Sequence, residues 1–315
     1  MKILVTGAGG FVGQHLIKKL LLNKYSVIAM DFAQNSVLEK YNIPVYNTNI
    51  LNFIDVENVI NKEQPNVIVH LAAQSNVGIS WKSTNLTTSV NIEGSLNLYK
   101  AFFNINPQGL FLNIGSSDEY GLTAKMGIPL TEEMECKPQN PYSISKYCTE
   151  QLLLQLSKKD NVKLVSTRSF NHFGPGQRTG FVISDFASQI AKIKLGIINN
   201  EIYVGDLSAA RDFLYIDDII NAYIAIIENS VPNGIYNISS GKSYKIQDIL
   251  NLLINLSGEE IKINIDKNKF RPAEVSNFIG ASYKLKSVTS WEAKTSLMEG
   301  LKKTLDYWYK KIGDN

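Results

Sequence analysis

No run of apolar residues in this sequence approaches the ~18 needed for a helical membrane span, so a membrane partner is not expected. The opening stretch, Met1 to Gly7, is a short apolar run that halts at glycines. It lacks the longer apolar core and small-residue cleavage site of a secretory leader and reads as a first strand. Cysteine is scarce. Cys136 and Cys148 form neither a metal-ligand nor a redox spacing, and a reduced, cytoplasmic protein is the expectation. The three histidines, His15, His70 and His172, give no ligand spacing either, so each is taken as a supporting residue and no metal is expected. The net charge of +3 is spread along the chain without a basic stripe, which argues against a nucleic-acid partner. A Gly-x-Ser-x-Gly elbow, a Walker loop, internal repeats, low-complexity tracts and long linkers are all missing.

What is present is an ordinary globular composition, 44% apolar and 19% charged, over 315 residues. That length exceeds the size at which one core usually stops growing, so a large domain with an appended lobe is expected. Short apolar runs alternate with helical patterns: strands over 3–6, 26–31, 67–72, 110–115 and 163–169, and helices over 11–22, 54–61, 90–103 and 142–157. Nearly continuous Val/Ile/Leu strands separated by helices predict a parallel sheet covered on both faces, a Rossmann-like doubly wound α/β fold. Beyond Ser169 the alternation loosens into helices over 185–195 and 218–228, a strand over 235–238 and an amphipathic segment over 246–256. A smaller C-terminal α/β substrate-binding lobe follows, about 171–216 and 242–315, with 1–170 and about 217–241 forming the dinucleotide-binding domain.

Gly7, Gly10 and Gly13 sit directly after the first predicted strand and open a helix. A tight turn, close backbone approach and a helix N-terminus suit the pyrophosphate of a dinucleotide. Asp31 ends the second strand a little over twenty residues later, where a carboxylate accepts from the adenine ribose and repels a 2′-phosphate. No arginine follows it closely, so NAD(H) is favoured, with NADP(H) second. Tyr142 and Lys146 stand four apart on one helix face. The ammonium is expected to lower the phenol pKa toward working range, while Ser116, at a strand's carboxyl end, donates to the same carbonyl oxygen.

Together these residues resemble the extended short-chain dehydrogenase/reductases that act on nucleotide sugars. The stretches His70 to Ser75, Gly115 to Gly121, Ser169 to Gln177, Gly180 to Ala187, Arg211 to Phe213 and Arg271 to Val275 are similar to GDP-4-keto-6-deoxy-mannose reductases and their relatives the GDP-mannose 4,6-dehydratases. The resemblance implies cofactor contacts from Phe11, Val12, Asn49, Ile50, Leu71, Ala72 and Ala73 beside the glycines, Asp31, Tyr142 and Lys146. On the substrate side it implies Gln74, Ser117, Asn171, Val182, Arg211, Arg271 and Glu274, the arginines meeting a diphosphate. Relatives often carry an Asp at the position of Asn49, an Asp or Ser at Ala281, and a Gly at Ser290.

Dehydratases of this group use an acidic pair, or a Glu, beside the strand-end Thr/Ser; here Ser117 and Asp118 follow Ser116, so the carboxylate is the shorter Asp. Asp118 is therefore the catalytic candidate that decides between reactions. The reading is an NAD(P)H-dependent reductase that converts a GDP-4-keto-6-deoxyhexose to a GDP-6-deoxyhexose such as GDP-rhamnose. The alternatives are a 4,6-dehydratase or C4 epimerase with tightly held NAD, and a non-catalytic nucleotide-binding protein. A homodimer is expected, with Val90, Leu96, Leu98, Phe102, Tyr147, Leu152 and Leu153 as a stripe that packs either between subunits or within the core.

Overall fold

The computed structural model describes residues 1–33, 36–269 and 277–314. In the first half the chain runs β1 (Lys2–Thr6), α1 (Phe11–Leu22), β2 (Ser26–Asp31), α2 (Ser36–Glu39), β3 (Val45–Asn47), α3 (Phe53–Glu63) and β4 (Val67–His70). Two short helices, α4 (Val77–Lys82) and α5 (Thr84–Thr88), lead through a π-helical turn, Ser89–Glu93, into α6 (Gly94–Ile105). After them come β5 (Leu110–Ser116), α7 (Pro141–Asp160) and β6 (Lys163–Ser169).

The second half contains β7 (Asn171–Phe173), α8 (Val182–Lys194), β8 (Glu201–Val204), β9 (Ala210–Tyr215) and α9 (Ile216–Glu228). It continues with β10 (Gly234–Ile238), β11 (Ser243–Lys245), α10 (Ile246–Ser257), β12 (Lys262–Ile265), β13 (Asn277–Phe278), α11 (Tyr283–Thr289) and α12 (Leu297–Gly313).

Seven strands form one sheet in the order β10-β6-β5-β4-β1-β2-β3, every neighbouring pair parallel. Side chains alternate between its faces. Ile3 and Val5 of β1 join the core with Leu16 and Leu20 of α1, whereas Leu4 joins the opposite core with Val56 and Ile60 of α3 and Phe102 of α6. The order of the strands reverses between β1 and β4, and the carboxyl ends of such a pair open a crevice for ligands. The loops that leave β1 at Gly7 and β4 at Leu71 both line that crevice.

The remaining strands build two small sheets. β9 pairs with β11, β13 and β7, and β8 pairs with β12. Helices α8, α10 and α12 pack on one another beside them. Among the described residues no helix is long and apolar enough to cross a membrane.

The apolar stripe considered for a subunit contact belongs mainly to the core. Leu98, Phe102 and Leu153 are fully buried within the chain, because α6 and α7 turn those faces toward the sheet. Leu152 alone of the stripe is exposed. At the end of α11, Ser290 adopts the left-handed conformation (φ 60°). Glycine takes that conformation without the strain that a Cβ introduces, so a glycine is the residue the backbone favours at this position.

Candidate active site

A cleft of about 1560 Å³ runs along the carboxyl ends of the sheet strands and under the second-half lobe. Its cofactor-like end is built by the glycine loop. Gly7 takes φ +64°, and a Cβ there would lie 2.8 Å from the Ala72 amide nitrogen. A Cβ on Gly13 would lie 2.5 Å from the Gly7 carbonyl oxygen. Both glycines therefore let backbone approach backbone, at the start of α1 where amide N–H groups are free to meet an anion. The residues present fit a dinucleotide. Phe11, Val12, Asn49, Ile50, Leu71, Ala72 and Ala73 all line this end, with Gly10 and Asp31. Asp31 ties the loop to β2: its Oδ2 accepts from the Gly9 amide (2.7 Å) and its Oδ1 from the Phe32 amide (2.8 Å).

Beneath the loop, a buried hydrogen-bond chain joins β1, β4 and α6. The Ala72 amide donates to Thr6 Oγ1 (3.2 Å), which lies 2.8 Å from His70 Nδ1, and His70 Nε2 lies 2.8 Å from Ser95 Oγ. Burial, with a smaller contribution from Lys146, pushes the His70 pKa down to about 3, so the ring is neutral. The π-helical turn carries Asn91 inward. Its Oδ1 accepts from the Gln74 amide (2.8 Å) and its Nδ2 donates to Ser145 Oγ (2.8 Å), which in turn donates to the Tyr142 carbonyl (2.7 Å). A π turn inserts one extra residue and so re-aims a side chain. Here that residue fastens the loop after β4 to the first turn of α7.

Helix α7 starts where it does because Asn140 and Ser143 cap each other reciprocally and Pro141 occupies the first turn. Tyr142 and Lys146 consequently emerge on successive turns, facing Ser116 at the end of β5, and all three line the cleft. The Lys146 Nζ donates to the Ile114 carbonyl (2.8 Å). Burial pushes its pKa down to about 8. The expected effect of Lys146 on Tyr142 is not what this arrangement produces. Burial, and next the Asp118 carboxylate, hold the phenol well above its ordinary value, against a hydrogen bond with Ser116 that pulls the other way. A phenol so closely surrounded by protein keeps its proton, because the anion loses part of its hydration there.

On the substrate side Gln74, Asp118, Asn171, Val182 and Arg211 line the cleft. Gln74 Nε2 donates to Thr87 Oγ1 (2.9 Å), and Arg211 Nη1 donates to the Ala210 carbonyl (2.8 Å) with its guanidinium over the Phe278 ring. Ser117 departs from expectation. It is buried and does not line the cleft, since the short 3₁₀ turn Ser117–Tyr120 rotates it into the protein and leaves Asp118 outward. Arg271 and Glu274 lie outside the described residues. Arg178 and Lys192, both exposed on the cleft wall, were not singled out by sequence; nothing in their spacing separates them from other surface cations. Among the described residues no group of three His, Cys, Asp or Glu side chains could hold a metal ion.

A glycine-looped parallel sheet with serine, tyrosine and lysine at its carboxyl edge defines a dinucleotide-binding protein of the extended short-chain dehydrogenase/reductase class. The chain belongs to the family described as GDP-mannose 4,6 dehydratase, whose model matches residues 4–304. It is 32% identical over 311 residues to GDP-6-deoxy-D-mannose reductase of Pseudomonas aeruginosa, covering 99% of this chain and 98% of that one. The solved structure of RMD from Pseudomonas aeruginosa complexed with NADPH superposes with a TM-score of 0.88 at 31% identity, over 98% of this chain and 99% of that one. Thermus thermophilus UDP-glucose 4-epimerase complexed with NAD gives 0.87 at 25% identity, over 98% of this chain and 99% of that one.

Proposed function

We propose that this protein is a cytoplasmic NAD(P)H-dependent reductase acting on the C4 ketone of a GDP-4-keto-6-deoxyhexose, with a GDP-6-deoxyhexose such as GDP-rhamnose as product. A reduced nicotinamide, held by the glycine loop, Asp31 and Lys146, would supply the hydride chemistry at C4. Tyr142 gives its phenolic proton to the carbonyl oxygen as the C=O bond becomes a single bond. Its raised proton affinity keeps that proton available at neutral pH. Ser116 polarises the oxygen by hydrogen bonding. Lys146 holds the cofactor ribose hydroxyls, and its ammonium offsets the phenolate that Tyr142 becomes. Gln74, Asn171 and Arg211 receive the sugar and diphosphate, Val182 the base, and segments 171–216 and 242–315 act as the nucleotide-sugar lobe. Asp31 favours an unphosphorylated ribose by charge, while the NADPH in the Pseudomonas structure supports the phosphorylated cofactor as the second choice. A homodimer is part of the proposal, through the exposed apolar side chains of Trp81, Leu86, Ile144 and Leu152.

The observation that carries the reductase reading is the turn after β5. Asp118 lines the cleft there, whereas the next carboxylate, Glu119, is buried with no solvent exposure. A dehydratase needs acid and base groups on that side of the sugar, and this turn offers one short carboxylate. The test mixes protein, GDP-4-keto-6-deoxymannose and NADH or NADPH and follows reduced-nicotinamide absorbance. Net consumption is expected, with Tyr142→Phe folding and binding cofactor but turning over ~10²-fold or more slowly. No net consumption, with a new sugar formed from the 4-hydroxy substrate, points to the dehydratase or epimerase instead. Unchanged turnover in Tyr142→Phe removes that residue from the chemistry.

A further inference from the structure

Behind the catalytic edge lies a buried cluster that the mechanism above does not use. Arg168 of β6 donates through Nη2 to Glu150 Oε1 (2.7 Å) and through Nε to Glu150 Oε2 (3.1 Å), so its fork is spent on one carboxylate. Glu119 is a second carboxyl in the same pocket. Its Oε1 accepts the amide N–H of Ser116 (2.7 Å), while its Oε2 is buried without a hydrogen-bond partner and stands 3.7 Å from Arg168 Nε. Room for it comes from Gly115, where a Cβ would lie 2.6 Å from Glu119 Oε1. The Ser116 hydroxyl closes the other half of this capping box by accepting from the Asp118 amide (3.2 Å). One side chain thus fixes the backbone of Ser116 from the core side, opposite the cleft.

The charged and titratable groups facing Glu119 are Glu150, Lys146 and Tyr142 from α7, Arg168 from β6, and Cys136 from the segment before α7. Burial and then Glu150 favour the neutral form of Glu119; Arg168, the Ser116 amide and Lys146 oppose them, and the net direction is strongly upward. Conversely, burial lowers the Lys146 pKa while Glu119 raises it.

We infer that Glu119 is a positioning residue of the reduction: from the core side it anchors the Ser116 backbone and so holds the Ser116 hydroxyl at the reacting edge. The inference rests on the reductase reading for its kinetic consequence, and on the fold alone for the anchor itself. Glu119 is buried away from the cleft and acts only through the geometry of Ser116.

Glu119→Gln and Glu119→Ala isolate the anchor, because the amide oxygen keeps an acceptor for the Ser116 N–H and the methyl group does not. For Glu119→Ala, kcat is expected to fall ~10-fold or more with KM for the ketosugar nearly unchanged, and Glu119→Gln should restore it to within ~3-fold. Because a carboxyl whose folded pKa is raised costs stability once pH exceeds its unfolded value, the melting temperature of Glu119→Gln relative to wild type should rise from about pH 5 to about pH 8.

Full kcat in Glu119→Ala overturns the anchoring role, as does Glu119→Gln turning over no faster than Glu119→Ala. If wild type consumes no cofactor with the ketosugar, the reductase reading fails, while hydrogen exchange at the Ser116 amide, fast in Glu119→Ala and slow in wild type and Glu119→Gln, still decides the anchor. Should Glu119→Ala not fold, the shorter Glu119→Asp replaces it: a fall in kcat there with kcat retained in Glu119→Gln supports the inference, and full kcat in Glu119→Asp refutes it.

Discussion

His70 illustrates how far a single buried side chain governs this site. Both ring nitrogens are committed, to Thr6 and Ser95, and the ring stays neutral because burial pushes its pKa down to about 3. In the unfolded chain it takes up a proton near pH ~6.5. The unfolded state therefore binds more protons between the two values, and stability falls as pH falls from about 6.5 to about 3. Urea titrations of wild type and His70→Gln at about pH 7 and about pH 4.5 should show the wild type losing more stability over that interval. Equal losses would remove His70 as a source of acid sensitivity.

At this scale the proton state of the site was the least legible part of the sequence. The spacing of Tyr142 and Lys146 is visible in the primary structure, but the depth at which the two are buried is not, and burial sets the phenol's proton affinity more than its neighbour does. Glu119 was hidden for the same reason. It sits in a polar run, Ser116 to Glu119, that reads as a solvated turn until the 3₁₀ geometry directs alternate members inward.

Elements were legible in proportion to their apolar length. β1, β2, β4, β5 and β6 announce themselves as Val/Ile/Leu runs because both sheet faces are covered. β8 and β12 do not: each has only four residues, β8 buries Ile202 and Val204 alone while β12 is exposed or half-exposed throughout, and they pair across some sixty residues of chain. The π-helical turn before α6 escaped notice because it differs from an α-helix by one inserted residue, which leaves no mark in the apolar periodicity. The glycine loop is where one element depends most on another. Gly13 packs its Cα against the Gly7 and Ala8 carbonyls, so Gly13→Ala must separate α1 from the end of β1. Such overpacking should lower the melting temperature by ~3 °C or more and weaken cofactor binding ~10-fold or more, measured by thermal unfolding and nicotinamide fluorescence. Wild-type affinity in that variant would mean that the loop does not cradle the dinucleotide.

For the whole molecule, the proposed function turns on which nucleotide the second-half lobe would accept. The cleft extends past Asn171 and Arg211 to Lys192 and Tyr203, far enough to seat a nucleoside diphosphate beside the dinucleotide. Anything that binds only the folded state raises its stability by mass action. GDP is expected to raise the melting temperature more than UDP or dTDP at equal concentration; a larger shift with UDP would redirect the substrate assignment while leaving the redox chemistry in place.

The seventh strand has a further consequence during synthesis. β6 ends at Ser169, yet β10, which completes the sheet beside it, begins only at Gly234, after the chain has built β7 through α9. A nascent chain emerges from its N-terminus onward, and non-local strand pairs form late. Until residue 238 has left the ribosome, β6 presents an open row of backbone donors and acceptors, the kind of edge that recruits strands from other chains. The interval between β6 and β10 is therefore one in which this edge is open to misassembly, and in which a chaperone has a strand to shield.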